Sequence, residues 1–179
     1  MGKMLIGLAI ALLDFPMQLG GGRILDLTPD VLGYILIIFG LREIGRFSHR
    51  FAIAYKVSFF GAIASGAVFG VSLITGQDSM SMTIILVGIA EMFLQVLLMV
   101  FVAAGFGEME NEFSITLQSK WLKIVAICIA PGIVLGYAGL IVPALEMVGS
   151  LIVDIASFGY LILFYFAWEA YKAWKLNEK

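Results

Sequence analysis

An all-α bundle of six membrane-spanning helices, with both termini cytoplasmic, is the fold class this sequence predicts, and three observations predict it. The first is composition. Of 179 residues, 61% are hydrophobic and 13% charged, with a mean hydropathy of +1.04, whereas a soluble domain carries about 25% charge. The second is length: a helix needs roughly 20 mostly apolar residues to cross a bilayer. Residues 1–179 therefore hold six spans in a single transmembrane domain, with no room for a separate soluble one. The third is charge sorting. With six alternating spans, Lys3, Arg42, Arg46, Arg50, Lys56, Lys120, Lys123, Lys172, Lys175 and Lys179 fall on one side and Arg23 alone on the other. The excess of positive charge assigns the first side to the cytoplasm. Trp121, Trp168 and Trp174 fall at that same interface, where amphipathic rings prefer to sit.

The spans follow in order. Span one covers about residues 4–19. Its start (Met1-Gly2-Lys3, then an apolar run) has the look of a signal peptide. Asp14, Pro16 and Gln18 interrupt the run and no clean small-residue cleavage site follows, so a retained span is expected. A loop with Gly20, Gly21, Gly22, Arg23 and Asp26 leads to span two, residues 29–47. That span opens with Thr28-Pro29-Asp30, a hydroxyl cap, a proline at the first helical position and an acid at the positive dipole end. Its purely apolar part, Val31 to Leu41, is short, so a half-span remains an alternative. Spans three to six cover about residues 53–75, 80–106, 121–142 and 147–173. Gly66-x-x-x-Gly70 and Gly132-x-x-x-Gly136 permit close backbone approach, either inside the bundle or against a protein partner.

Ionisable groups at bilayer depth cost roughly 2.5–3.5 kcal/mol each on insertion scales, so they face the bundle interior or water. Asp14, Glu91 and Asp154 fall at that depth. Each has polar company at helical spacing: Asp14 with Gln18, Glu91 with Gln95, and Glu146, Ser150 and Asp154 in steps of four, with Ser157 continuing the face. No basic residue falls at that level, so such a set either holds protonated carboxyls or binds something cationic. Pro16 and Pro131-Gly132 interrupt spans one and five, and interrupted apolar segments mark transporter binding sites. The alternative is structural: neutral acids bonding the carbonyls those prolines free. Asp14, Gln18, Glu91, Gln95, Ser150 and Asp154 are the candidate solute-binding residues. Arg23, Asp26, Asp30 and Tyr34 are the candidates for an external lid or gate.

Other chemistries lack their parts. Cys128 is the only cysteine and His49 the only histidine. Neither a paired-histidine zinc motif nor a phosphate loop occurs, and no nucleophile has a base within expected reach. No catalytic residue, metal, cofactor or nucleic-acid partner is expected. The basic run Arg42, Arg46, Arg50 and Lys56 suits anionic lipid headgroups and orients the chain.

Leu13-Asp14-Phe15, followed by Asp26-Leu27-Thr28-Pro29-Asp30-Val31-Leu32-Gly33-Tyr34-Ile35-Leu36-Ile37, resembles a pattern found near the N-terminus of a group of small multi-pass membrane proteins of Gram-positive bacteria. The likeness covers about the first 60 residues, with Thr28 standing where the pattern has leucine. It implies a bacterial cell membrane and assigns no activity. By architecture alone, the chain is also similar to the substrate-capture subunits of energy-coupling-factor vitamin transporters, which have six helices and both termini inside. Gly7-x-x-x-Ala11 and the loop from Gly20 to Asp26 would suit their partner-docking helix and gate. The expected function is binding or transport of a small cationic or polar solute through an acid-lined cavity open to the outside. The alternative is a non-catalytic partner subunit of a larger transporter complex.

Overall fold

The structure, a computed structural model, describes residues 1–13, 16–19, 23–26, 30–75, 82–139 and 142–177. A proline decides the first break. It has no N–H, and its ring crowds the carbonyl four residues earlier, which for Pro16 is the carbonyl of Leu12. Helix α1 is accordingly Gly2–Leu12. Strand β1, Pro16–Leu19, then pairs antiparallel with β2, Arg23–Asp26, Pro16 opposite Asp26 and Leu19 opposite Arg23. The span expected over residues 4–19 is thus a short helix followed by one arm of a hairpin.

Helix α2, Asp30–Ile44, begins on an acid at its positive end and is followed by a 3-10 turn, Gly45–Phe47. Then come α3 (His49–Thr75), α4 (Met82–Phe113), α5 (Ser119–Ala138) and α6 (Pro143–Asn177). Helix α4 runs past its expected end at residue 106 and carries Glu108, Glu110 and Glu112 in its last turns. Helix α5 stays helical through Pro131, where an interruption was expected.

Among the described residues, the regular structure is helical apart from that hairpin. Four helical segments among those residues are long and apolar enough to cross a membrane: His49–Gly70, Leu86–Phe113, Ser119–Ala138 and Pro143–Asn177. At about 1.5 Å per residue, α1 and α2 extend roughly 17 and 23 Å, short of a hydrocarbon layer of about 30 Å.

Each helix packs on the next in chain order, and α6 returns to α1, closing a ring. Small residues make the tightest contacts, as expected where no water drives helices together. A Cβ at Gly7 would lie 2.5 Å from the Gly33 carbonyl oxygen, and one at Gly33 would lie 2.7 Å from that of Gly7. Helices α5 and α6 meet likewise: a Cβ at Gly149 would lie 2.6 Å from the Gly132 carbonyl oxygen and would collide with the Gly136 amide. The Gly132 face is therefore used inside the chain. Gly66 has only Val31 near it, and Gly70 has nothing within 4 Å among the described residues.

The core fills one half of the ring. Met4, Leu8, Ile37, Leu41, Ile44, Phe51, Phe106 and Phe164 are fully buried there. The Phe106 ring lies 5.5 Å from those of both Phe51 and Phe164. On α4, full burial begins at Leu98, and no residue from Leu86 to Leu97 is buried. This filled half is also the basic end. The Met1 ammonium donates to Glu43 Oε2 at 2.9 Å, Lys3 Nζ lies 3.3 Å from Glu43 Oε1, and Gly2 sits beside Trp168. Phe47, Phe113, Tyr171 and Trp174 pack edge to face or tilted at the same end. The N-terminus and the last turns of α6 therefore share one end of the ring.

Candidate solute-binding cavity

Where the core stops, the ring borders a half-open cavity of about 660 Å³. Helical spacing supplies its wall. Gly88, Glu91, Met92 and Gln95 lie at i, i+3, i+4 and i+7 on α4, hence on one face. Ile129 and Ile133 face it from α5, and Val153, Asp154, Ser157 and Phe158 from α6. Helix α1 contributes its C-terminal end, Ala11 to Leu13, and α2 its first residue, Asp30. The two short helices thus deliver chain ends, rather than helix sides, to the cavity.

A helix end leaves carbonyls without intrahelical partners. The Gln95 amide nitrogen donates to the Ala11 carbonyl, so one of α1's last carbonyls is satisfied by α4. Gln95 is therefore both a wall residue and the tie that holds the α1 end in place.

Tyr34 lies one turn beyond Asp30 on α2. Its ring presses on Gly61 of α3, where any side chain would collide with it. Its hydroxyl is buried at 1% exposure, has no hydrogen-bond partner, and lies within electrostatic reach of Glu91 and Asp30. On the far side, a Cβ at Gly88 would stand 3.9 Å from the Tyr137 hydroxyl of α5. Asp154 is exposed, Glu91 half-buried and Ser157 buried.

Three carboxyl groups, from α2, α4 and α6, thus share one cavity, and no Lys, Arg or His is among the described lining residues. Ile129, Ile133, Val153 and Phe158 add apolar surface to the wall. Among the described residues, no group of three His, Cys, Asp or Glu could hold a metal ion.

Of the candidate solute-binding residues, Glu91, Gln95 and Asp154 come together here. Ser150 does not line the cavity; its hydroxyl donates to the Met147 carbonyl at 3.1 Å on an exposed turn of α6. Asp14 lies outside the described residues, and Gln18 is in β1, paired with Ile24. Of the lid candidates, Arg23 and Asp26 are the ends of β2, whereas Asp30 is in the cavity wall and Tyr34 is buried beside it. The α1 end was not anticipated as wall; the break at Pro16 was its only signal. Comparison of the chain with protein-family models, with curated proteins and with solved structures gives no significant match.

Proposed function

We propose that this chain is a multi-pass protein of a bacterial cell membrane that binds or carries a small cationic or polar solute. Its basic end faces the cytoplasm, and its cavity is reached from the outside. One observation carries this reading: Asp30, Glu91 and Asp154, far apart in sequence, line a single space with no basic residue among the described residues of its wall. The volume, about 660 Å³, falls in the range of small-molecule sites, roughly 300–1,000 Å³. A binding role also suits the remaining chemistry, since His49 opens α3 at the basic end and Cys128 is exposed on α5. The open Gly66–Gly70 stripe on α3 favours, as a second reading, contact with a partner subunit.

The test is hydration of the cavity from outside. In a Cys128→Ser background, Ser157→Cys in intact cells should react with a membrane-impermeant, water-soluble thiol reagent. Ile127→Cys, on an exposed apolar face of α5, should not. An inert Ser157→Cys beside a reactive Ile127→Cys would end the solute-cavity reading.

A further inference from the structure

The cations at the basic end divide into two groups. One is used inside the fold. Lys3 Nζ lies 3.3 Å from Glu43, Arg50 Nε 3.2 Å from Glu108 and Lys172 Nζ 2.9 Å from Glu169. Arg46 and Lys175 lie over the rings of Phe47 and Tyr171, at 4.7 and 5.9 Å. The other group is Arg42, Lys56, Lys120 and Lys123. All four are exposed, and none has an ion pair among the described residues. The basic run read from the sequence is thereby redrawn: Arg50 leaves it, and the start of α5 joins it. Lys120 and Lys123 stand where the helix dipole opposes a cation, so helix stability does not place them.

The neighbours of these cations supply an independent observation. About one turn toward the cavity level, on the same helix face, each has an exposed apolar side chain. Phe39 is three residues from Arg42 on α2, and Phe59 and Phe60 are three and four from Lys56 on α3. On α5, Ile124 and Ile127 are each four residues from Lys120 and Lys123, and Trp121 is exposed beside Lys120. Each patch is a positive head above an apolar stripe. A dissolved anion would meet only the heads, and an acidic peptide would leave the stripes unused. A molecule with a negative head and hydrocarbon chains meets both. Lys and Arg near an anionic lipid surface each favour it by about fivefold, and tryptophan prefers the headgroup level.

We propose that the basic end carries a rim selective for anionic phospholipid. Arg42, Lys56, Lys120 and Lys123 meet the headgroups, and the apolar stripes lie along the chains. This rests on the membrane placement above and adds the class of lipid the rim selects.

The test is quenching of tryptophan fluorescence in the purified full chain, reconstituted in mixed vesicles of phosphatidylglycerol and phosphatidylcholine with one lipid or the other brominated on its chains. The relative binding constant should favour phosphatidylglycerol at least threefold. Arg42→Gln, Lys56→Gln, Lys120→Gln and Lys123→Gln together should abolish that preference, whereas Arg50→Gln, which removes a paired cation, should leave it unchanged. Equal quenching by both lipids would overturn the proposal and leave the membrane placement standing. So would a preference that survives the fourfold variant or is lost with Arg50→Gln. Loss of the preference on adding free glycerol phosphate at constant ionic strength would also overturn it, in favour of a soluble-anion site. No quenching by either lipid would remove the membrane placement and this proposal with it. Should the fourfold variant fail to fold, Lys120→Gln with Lys123→Gln decides: an undiminished preference overturns the proposal.

Discussion

The basic end of the ring and the level of the cavity use the same residue type in opposite ways. At the basic end, carboxylates are partnered. Glu43 takes the Met1 ammonium and Lys3, Glu108 accepts from the Ser48 hydroxyl and from Arg50 Nε at 3.2 Å, and Glu169 meets Lys172 at 2.9 Å. Glu110 accepts from the Leu117 amide at 2.6 Å, from the Ser119 amide at 3.2 Å and from the Ser119 hydroxyl. It closes the turn in which Gln118 adopts a left-handed φ of 59° before α5 begins. At the cavity, Asp30, Glu91 and Asp154 face a space with no cationic side chain among the described residues of its wall. Near water, a carboxylate stabilises by pairing. On the proposed membrane placement, a carboxylate at cavity level carries an insertion cost of roughly 2.5–3.5 kcal/mol. On the proposed reading, acids at the basic end hold the fold and acids at the cavity serve an occupant.

That contrast can be broken from either side. The largest effect on stability is expected for Glu110→Ala, which removes three hydrogen bonds to a charged acceptor. The loss should be about 2–4 kcal/mol, read as a lower melting temperature in detergent, with the labelling rate of Ser157→Cys unchanged within twofold. A severalfold change in labelling would erase the division between the two levels. Next comes Gln95→Ala, which strands the Ala11 carbonyl. It should cost about 1–2 kcal/mol and, since the α1 end is part of the wall, change the labelling rate as well. An unchanged melting temperature would show that the tie to α1 contributes nothing.

Tyr160→Phe probes the boundary between filled and open halves. It removes the bond from the buried Tyr160 hydroxyl to the Met99 carbonyl, 2.9 Å, and should lower stability by about 1 kcal/mol without touching the labelling rate. A severalfold change in that rate would extend the site below the level drawn for it. The smallest effect belongs to Glu43, which lies beyond the apolar part of α2. A hydrogen bond from the Met1 ammonium holds its carboxyl below the usual carboxylate range. A depressed carboxyl stabilises fully above its unfolded value, about 4.3, and loses that contribution as pH falls through the lower folded value. Because Glu43 is half-exposed, the gain over Glu43→Gln should be small at neutral pH and vanish on acidification. A gap that widens as pH falls would contradict the pairing.

The apolar helices were legible from their composition, and the sequence's grouping of Lys3 with Trp168 and Trp174 agrees with the end that the N-terminus and the last turns of α6 share. The hairpin was not. Pro16–Leu19 reads as the tail of an apolar run, and only the conflict between Pro16 and the Leu12 carbonyl argues for a break. Pro131 raises the same flag, yet α5 runs through it with Gly132 packed on Ile152 and Val153 of α6. Neighbouring helices make such a proline tolerable, and neighbours are invisible to a local pattern. The site divides the same way. Four-residue spacing paired Glu91 with Gln95 and carried the α6 face to Asp154 and Ser157. It also drew in Ser150, which shares that stripe but sits a turn from the cavity wall. Spacing reports a face, not a depth. Asp30 was assigned to a lid because it ends the loop that starts at Gly20. Helices α1 and α2 are short, and their joined ends fall at cavity level instead.

The most direct measurement takes both readouts on one variant, Glu91→Gln. If this acid serves a cationic occupant, the preference of Ser157→Cys for a cationic over an anionic thiol reagent falls severalfold while the melting temperature holds or rises, because an ionisable group at depth has become neutral. A melting temperature that drops by several degrees with that preference intact would contradict the account and make Glu91 a structural residue.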